Sequence, residues 1–300
     1  MLVQVLGSAA GGGVPQWNCG CRQCEGARGG LLESRTQCSF AITIDERRWV
    51  LVNASPDLRP QLAKFRSQPA PRTRSTPIDT ILLTDADLDH TLGLFLLREN
   101  PAPVSIHSSE GIRRVVGEGL RVNEILDSYC GIQWRTAPCS FEPLVLKNGS
   151  QSGLEYKAVP IEGPCPRYWK GVPYSSRLAY VLREPATGKS VLFAPAVARF
   201  EPQLLAELSL ADAIFFDGTF WADDDFEKSG VPDPPTDDLL RSHLPISSGS
   251  LETIAAQRAK HKIYVHINNT NPILWPTSQE RKVVEARGIQ VAADGMTVLL

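Results

Sequence analysis

Short apolar runs rich in β-branched and aromatic residues recur along the chain, and most are bounded by Gly, Pro, Asp or Asn. Each run has four to six such residues, which is typical of β-strands rather than of helices. We expect strands over 2–6, 40–45, 49–54, 80–85, 104–108, 178–183, 190–195, 213–218, 262–267 and 296–300.

Longer stretches with helical periodicity lie between some of these runs, and Ser55-Pro56 and Ser250 are suitable helix starts. We expect helices over 56–66, 89–100, 109–122 and 250–260. The early half reads as hairpins followed by helices, whereas the later half alternates strands and helices. This order favours two sheets covered by helices on both outer faces over a doubly wound parallel sheet.

Composition excludes several classes of function. The 300 residues are 42% hydrophobic and carry 31 basic against 33 acidic side chains. A nearly neutral chain without a long basic run does not favour nucleic-acid binding. No apolar stretch approaches the roughly 20 residues that span a bilayer. The first residues carry no Lys or Arg ahead of their apolar run, unlike a secretory signal, so we expect a cytoplasmic protein without a membrane partner.

The segment "LLTDADLDHTLGL" concentrates acids and a histidine at the end of a predicted strand. Asp85, Asp87, Asp89 and His90 fall in the loop that leads to the next helix, where side chains can converge. An N-cap role would explain Asp89 alone. Because adjacent carboxylates repel one another, the pattern indicates a metal site.

A second cluster, "NCGCRQC", contains Cys19, Cys21 and Cys24 among seven cysteines in the chain. In a reducing compartment this spacing favours metal over disulfides, and thiolates bind Zn²⁺ tetrahedrally. We expect a structural zinc in an N-terminal loop of about residues 17–26, within one domain that spans 1–300. The fourth ligand stays open.

The acidic segment resembles the H-x-H-x-D-H motif of the metallo-β-lactamase superfamily, with both leading histidines replaced by aspartates. Asp217 of "FFDGTFW" and His266 of "YVHINN" match later landmarks, whereas "VPIEGPCPRYW" lacks the expected histidine. The resemblance implies an α/β fold of the αββα type. It also implies one metal ion, held by Asp89, His90, Asp217 and His266.

A site with two histidines, carboxylates and open positions suits non-haem Fe(II), although Zn(II) would also accept it. Asp85 and Asp87 then need another role, as hydrogen-bonding partners of the ligands or as proton acceptors. Crowding among these acids should raise at least one of their pKa values.

The superfamily also suggests a fourth ligand for the cysteine cluster. In a related phosphodiesterase of phosphonate catabolism, a similar cysteine trio is completed by a histidine three residues after the late active-site histidine. The corresponding residue here is Asn269, a weak zinc ligand, and His261 is the alternative.

Eight motifs, from "GSAAGGGVPQWNCGCRQC" to "HINNTNPIL", together resemble the B-protein family of pyrroloquinoline quinone (PQQ) biosynthesis nearly end to end. The resemblance implies an iron-dependent hydroxylase that adds oxygen from O₂ to the tyrosine ring of a cross-linked Glu–Tyr precursor. It also implies cooperation with the other PQQ biosynthesis proteins. A homodimer is one open option for its assembly.

Several further residues are candidates for catalysis or substrate binding. By resemblance to related hydrolases, His243 of "RSHLPIS" is a candidate acid or base. Arg167 and Arg177 suit the carboxylates of the precursor, and Tyr168 and Trp221 suit its aromatic ring. The acidic runs 221–227 and 234–238 predict a mobile flap. Two alternatives stay open: a zinc hydrolase of a precursor, and a non-enzymatic carrier of the finished quinone.

Overall fold

The computed structural model describes residues 1–65, 75–171, 177–232 and 242–300. Its strands are β1 (Leu2–Gly7), β2 (Ser39–Thr43), β3 (Trp49–Val52), β4 (Ile78–Leu82), β5 (Val104–Ser108), β6 (Ile132–Thr136), β7 (Glu142–Val145), β8 (Gln151–Ile161), β9 (Arg177–Glu184), β10 (Lys189–Ala194), β11 (Ala213–Asp217), β12 (His261–Val265), β13 (Gln290–Val291) and β14 (Thr297–Leu299).

The α-helices are α1 (Arg22–Arg28), α2 (Leu58–Ala63), α3 (Leu88–Thr91), α4 (Glu110–Arg114), α5 (Val122–Asp127), α6 (Pro202–Leu210), α7 (Asp225–Lys228), α8 (Leu251–Ala255) and α9 (Gln279–Ala286). Turns of 3₁₀-helix cover Leu92–Glu99 and Pro272–Leu274, and π-helical turns cover Val115–Gly119 and Ile246–Ser250. No helix in these described ranges is both long and apolar enough to cross a bilayer.

The strands form two seven-stranded mixed sheets, in the orders β14-β1-β2-β3-β4-β5-β6 and β13-β12-β11-β10-β9-β8-β7. Phe40 of the first sheet lies 4.9 Å from Phe193 and 5.4 Å from Phe215 of the second, measured between ring centroids. These buried rings join the two sheets face to face. Because side chains alternate along a strand, the neighbouring Phe216 belongs to the second apolar cluster, which also contains residues of α6.

The expected two-sheet architecture with helices is therefore confirmed, and each of the ten expected strand segments contains a strand. The strands β6, β7, β8 and β13 were missed. In β8, charged residues alternate with buried ones, because one face of the strand packs against the core and the other face is half-exposed or exposed. Such a strand depends on its neighbour β9, which pairs with it over seven residues from Glu155 to Ile161.

The expected helix over 89–100 is only partly α-helical, since α3 ends at Thr91 and 3₁₀-helix follows. At Gly93 a Cβ atom would lie 2.2 Å from the carbonyl oxygen of Ser55. This close approach to the preceding loop explains why the segment tightens and why glycine is needed there.

The other three expected helices are shorter than predicted. The one over 56–66 is α2 and begins after Asp57; residue 66 lies outside the described residues. The one over 109–122 is α4, capped by the Ser109 hydroxyl, followed by a π-helical turn. Ser250 precedes α8, but its hydroxyl contacts the Tyr264 hydroxyl at 2.9 Å instead of capping the helix.

Candidate metal centre

A cavity of about 440 Å³ opens where the loops after β4, β11 and β12 meet. The main-chain N–H of Leu178 donates to the carbonyl of Thr84 at 2.6 Å, so the two sheets are joined at this end. The walls combine titratable groups with apolar and aromatic ones: Ala10, Gly11, Asp87, Leu88, Asp89, His90, Pro164, Cys165, Pro166, Arg167, Tyr168, Arg177, Ala196, Thr219, Phe220, Ser242, His243, His266 and Asn268. The cavity thus gathers most of the residues that the sequence singled out.

Asp85 is buried beneath the cavity and holds His90. Nδ1 of His90 lies 2.7 Å from each carboxylate oxygen of Asp85. The same carboxylate accepts from the main-chain N–H of Asp87 at 3.0 Å and from the Thr84 hydroxyl at 2.8 Å. Its lone pairs are thereby occupied, so Asp85 orients the imidazole ring.

Asp89, His90 and His266 form a group whose possible ligand atoms lie within 4.8 Å of one another. Nε2 of His266 is 3.1 Å from Asp89 Oδ2, and Nε2 of His90 is 3.9 Å from the same oxygen. Nε2 of His90 is buried and has no hydrogen-bond partner among the described residues. A buried nitrogen of this kind beside a carboxylate fits a bound cation.

Asp217 lies in a second group, with His243 and His266. Its Oδ2 accepts from the main-chain N–H of Val197 at 2.8 Å and lies 2.7 Å from Nδ1 of His243. Its Oδ1 accepts from the N–H and the hydroxyl of Thr219, at 3.0 and 2.6 Å. The structure thus brings Asp217 to His243 rather than into the group of Asp89 and His90, and the two groups share His266.

Arg177 supplies a fixed positive charge beside the leading acids of the motif. Its Nη2 donates to Asp87 Oδ2 at 3.0 Å, and its Nη1 donates to the carbonyl of Ser242 at 3.3 Å. The Arg177 side chain is only 7% exposed, whereas that of Asp87 is 31% exposed to the cavity. The guanidinium therefore compensates the charge of Asp87 from the protein side.

The carboxyl groups of the motif differ in acidity. Removal from bulk water raises the pKa of Asp87 to about 6, against the opposing charge of Arg177 and with support from Asp85 and Asp89. Burial acts on Asp85 in the same direction, but the charge and hydrogen bond of His90 hold its pKa below the usual range. Asp87 is thus the acid of this segment best suited to exchange a proton near neutral pH.

The histidines also differ. Burial alone would lower the pKa of His90, but the charges of Asp85 and Asp89 raise it well above its usual value. Burial lowers the pKa of His243, with Asp217 opposing and His266 and Arg177 contributing. His243 is therefore a neutral imidazole at pH 7, held through Nδ1 by Asp217.

The three cysteines converge in a small buried cluster. Cys21 precedes α1, Cys24 lies on that helix, and the thiols of Cys19, Cys21 and Cys24 form one group of possible metal ligands. Nδ2 of Asn269 lies 3.2, 3.6 and 3.5 Å from their respective sulfur atoms. Rotating this amide by 180° would turn its oxygen towards the same point.

His261, the alternative fourth residue, begins β12, whereas Asn269 follows the far end of that strand. Asn269 is accordingly the residue that the fold brings to the thiols. The helix α1 within this loop was missed, because three cysteines and two glycines in "CGCRQCEG" hide its short amphipathic pattern.

Other candidate residues divide between the cavity and its surroundings. Arg167 and Tyr168 line the cavity, and the Tyr168 hydroxyl donates to the carbonyl of Ala86 at 2.6 Å. Phe220, rather than Trp221, lines the cavity, whereas Trp221 packs against the second apolar cluster. Asp225 of the first acidic run accepts from the N–H of Trp221 at 2.7 Å. The second acidic run, 234–238, lies outside the described residues.

Sequence reasoning missed Thr219 and Phe220. Thr219 and Phe220 are the second and third residues after Asp217 in "FFDGTFW", and their place in the loop after a strand-terminal acid was the available signal. Thr219 is 2% exposed and its hydroxyl touches both later histidines.

The chain matches known proteins in both sequence and fold. Residues 48–267 match the model of the β-lactamase superfamily domain. The chain is 38% identical to "Coenzyme PQQ synthesis protein B" of Nitrosococcus oceani, with all of both chains covered. It is 37% identical to the protein of the same name in Cupriavidus necator, with 99% of each chain covered.

Among solved structures, the chain is similar to Zn²⁺-bound PqqB from Methylobacterium extorquens. The two are 35% identical over the full length of both chains, with a TM-score of 0.88. A diphosphatase of the PhnP family, 20% identical with a TM-score of 0.69, shares the fold. The chain therefore has the metallo-β-lactamase fold and belongs to the coenzyme PQQ synthesis protein B family.

Proposed function

We propose that the protein acts in PQQ biosynthesis as an Fe(II)-dependent hydroxylase of the tyrosine ring in a cross-linked Glu–Tyr precursor. The pathway follows from the names of full-length relatives. The reaction rests on one observation: one half of the site offers two histidines and a carboxylate to a cation, while the other half already contains a guanidinium. Other proteins of the pathway would supply the precursor.

Asp89, His90 and His266 are the proposed metal ligands. Two imidazoles and one carboxylate are the ligand set typical of non-haem Fe(II) oxygenases. Fe(II) bound there would supply the activation of O₂. One oxygen atom would enter the ring and the other would leave as water, with the two electrons coming from an added two-electron reductant. Asp217, the fourth ligand expected from the resemblance, would support the site through its four hydrogen bonds, whose donors leave little of its carboxylate for a metal.

Arg177 is the reason to propose one metal ion rather than two. The superfamily's first metal would lie beside the residues that correspond to Asp85 and Asp87. Here Asp85 is bonded to His90, and Asp87 is paired with Arg177 at 3.0 Å. A second cation at this place would be repelled by the guanidinium and would have to displace both contacts.

The remaining residues of the cavity have complementary tasks. The ring carbon that gains oxygen must lose a proton, and the Asp87 carboxylate, with its pKa of about 6, would accept it. Nε2 of His243 would exchange a second proton on the opposite wall. Arg167 is exposed at the rim and would bind a substrate carboxylate, and Tyr168 would pack against the ring. Since Arg177 is already paired, it would contact substrate only through Asp87.

The cysteine cluster would hold a structural zinc ion. Three thiols and one amide converge within hydrogen-bond distance in a buried pocket, which is the arrangement of a closed four-ligand site. The Zn²⁺-bound relative supports this metal. The ion would fix residues 17–26 against Asn269 and the loop after β12.

The test is oxygen uptake together with product mass, using the cross-linked Glu–Tyr substrate, an added two-electron reductant and apoprotein loaded separately with Fe(II) or Zn(II). We expect the product to gain oxygen when the protein is loaded with Fe(II) but not with Zn(II). The variant His90→Ala should lose this activity. Cys139→Ser, which removes an exposed thiol, is the control. Full turnover in His90→Ala would refute the ligand assignment.

A zinc hydrolase is the second candidate, because Asp217, His243 and His266 form a further group of possible ligands that shares His266 with the first. Asp217 would have to exchange hydrogen bonds, such as that with His243, for the metal. Such a protein would bind two zinc ions at the cavity and cleave a precursor without consuming O₂. Counting the ions bound outside the cysteine cluster separates the two functions.

A further inference from the structure

The Thr219 hydroxyl contacts more polar groups than a hydroxyl usually does. Within 3.1 Å lie Asp217 Oδ1 (2.6 Å), His266 Nδ1 (2.8 Å), His266 O (2.9 Å) and His243 Nδ1 (3.1 Å). The residue is buried, and its own N–H also donates to Asp217 at 3.0 Å. Thr219 is therefore held to the Asp217 carboxylate through both its main chain and its side chain.

The donors and acceptors allow only a few arrangements of protons. A hydroxyl has one proton to donate and two lone pairs. Asp217 Oδ1 and the carbonyl of His266 can only accept, so the hydroxyl proton goes to one of these two atoms. The contact with Nδ1 of His266 must then be an N–H donating to the hydroxyl oxygen.

This arrangement decides which nitrogen of His266 is free. With a proton on Nδ1, Nε2 is the ring nitrogen left to face the cavity, where it lies 3.1 Å from Asp89 Oδ2. A carboxylate can only accept, so a proton or a metal ion must lie between these two atoms. By the same logic Asp85 holds the proton of His90 on Nδ1, and Asp217 holds that of His243. In all three rings the protein thus holds Nδ1, and Nε2 is the nitrogen left for a metal ion.

We propose that Thr219 is a positioning residue that fixes the Nδ1–H tautomer of His266 and so presents its Nε2 to the metal ion proposed above. The role in metal binding rests on the proposed metal site, whereas the hydrogen bond between Thr219 and His266 does not. His266 needs such support because it has a left-handed backbone, with φ of 55°, directly after β12. A ring on a conformation this rare for a non-glycine residue depends on its side-chain contacts for orientation.

The substitution Thr219→Val keeps the shape of the side chain and removes the hydroxyl, whereas Thr219→Ser keeps the hydroxyl. We expect Thr219→Val to weaken Co²⁺ binding at the histidine site about 10- to 100-fold, as loss of a hydrogen bond to a ligating histidine does elsewhere. Thr219→Ser should stay within about threefold of the wild type. Zinc in the cysteine cluster is the internal control in each variant.

A second measurement needs no cavity metal. The ¹⁵N shifts of His266 in protein whose histidine site is metal-free should show a proton on Nδ1, whether or not Nε2 is also protonated towards Asp89. In Thr219→Val the proton on Nδ1 should be lost. A wild-type ring protonated on Nε2 alone, or equal Co²⁺ affinity in wild type and Thr219→Val, would overturn the inference. If the wild type binds no Co²⁺ at the cavity while His266 has the expected tautomer, the proposed metal site fails and the positioning role stands.

Discussion

Nδ1 of His90 lies 2.7 Å from both oxygens of the buried Asp85 carboxylate, and the other ring nitrogen of His90 faces Asp89 without a hydrogen-bond partner among the described residues. The first acid of the motif therefore supports the histidine that ends it. Where the superfamily motif has its first histidine, this chain has an acid that bonds to His90, a proposed metal ligand.

The first prediction concerns this support. Asp85→Asn should weaken metal binding at the histidine site about 10- to 100-fold, because an amide neither accepts as strongly from Nδ1 nor raises the basicity of the ring. Competition with a coloured chelator measures the affinity. Asp79→Asn is the matched control, since Asp79 is a buried acid on β4 that does not line the cavity. Equal effects of both substitutions would contradict a specific role for Asp85.

The second prediction concerns the Arg177–Asp87 pair. Arg177→Met should lower the free energy of unfolding by about 2–3 kcal/mol. This is near the lower end of the range for breaking a buried ion pair, because the Asp87 side chain is partly exposed. Urea unfolding measures the loss. Adding Asp87→Asn to Arg177→Met should restore part of it, since the remaining charge is removed.

Arg167→Met is the control for this pair, because Arg167 is exposed at the rim and has no ion pair among the described residues. It should change the free energy of unfolding by less than about 0.5 kcal/mol. It should instead weaken binding of a polycarboxylate such as PQQ. A large loss of stability in Arg167→Met and none in Arg177→Met would reverse the assignment of the two arginines.

The third prediction concerns His107, which is buried on β5 with Nδ1 2.6 Å from the Tyr156 hydroxyl. Burial, with a contribution from Arg135, lowers its pKa from 6.5 to about 4. Between pH 4 and pH 6.5 the unfolded chain therefore binds more protons at His107 than the folded protein does. The contribution of His107 to stability is thus fully present above pH 6.5 and is lost as the pH falls towards 4. The shift corresponds to about 3 kcal/mol.

His107→Asn keeps an atom near Nδ1 but cannot titrate, so the advantage of the wild type over this variant should shrink between pH 7 and pH 4.5. Denaturant unfolding at several pH values measures the difference. An advantage that stays constant over this range would show that His107 does not contribute to the acid sensitivity of the fold.

The fourth prediction concerns the cysteine cluster. Cys24→Ser should lose bound zinc and lower the melting temperature, because Cys24 is fully buried and its thiol faces Cys21, Cys19 and Asn269. The exposed Cys139→Ser should change neither. Metal analysis and thermal unfolding of both variants measure these effects. The same zinc content in Cys24→Ser and Cys139→Ser would contradict the proposed structural zinc site.

The sequence was sufficient to predict those strands whose hydrophobic pattern is local. The apolar run 213–216 forms most of β11, and the apolar run 81–83 covers the end of β4 and the residue after it. Acids that follow these runs indicated the site. Strands such as β6 and β8 were missed, because their pairing partners, and not their own residues, decide that they are strands.

Many residues at the candidate site were named from the sequence, but Thr219 and Phe220 were missed, and so were the pairings within the site. Asp217 reads as a metal ligand from its position at a strand end, whereas its partners Val197, Thr219 and His243 come from other loops. The pairing of Asp87 with Arg177, ninety residues later, depends equally on the tertiary fold. Long-range hydrogen bonds of this kind leave no spacing in the sequence.

The most direct test of the central claim is anomalous scattering from crystals grown anaerobically with excess Fe(II). We predict one iron at the cavity, bound by Asp89, His90 and His266, with Arg177 still paired to Asp87. A second iron bound to Asp85 and Asp87, with Arg177 displaced, would contradict the account.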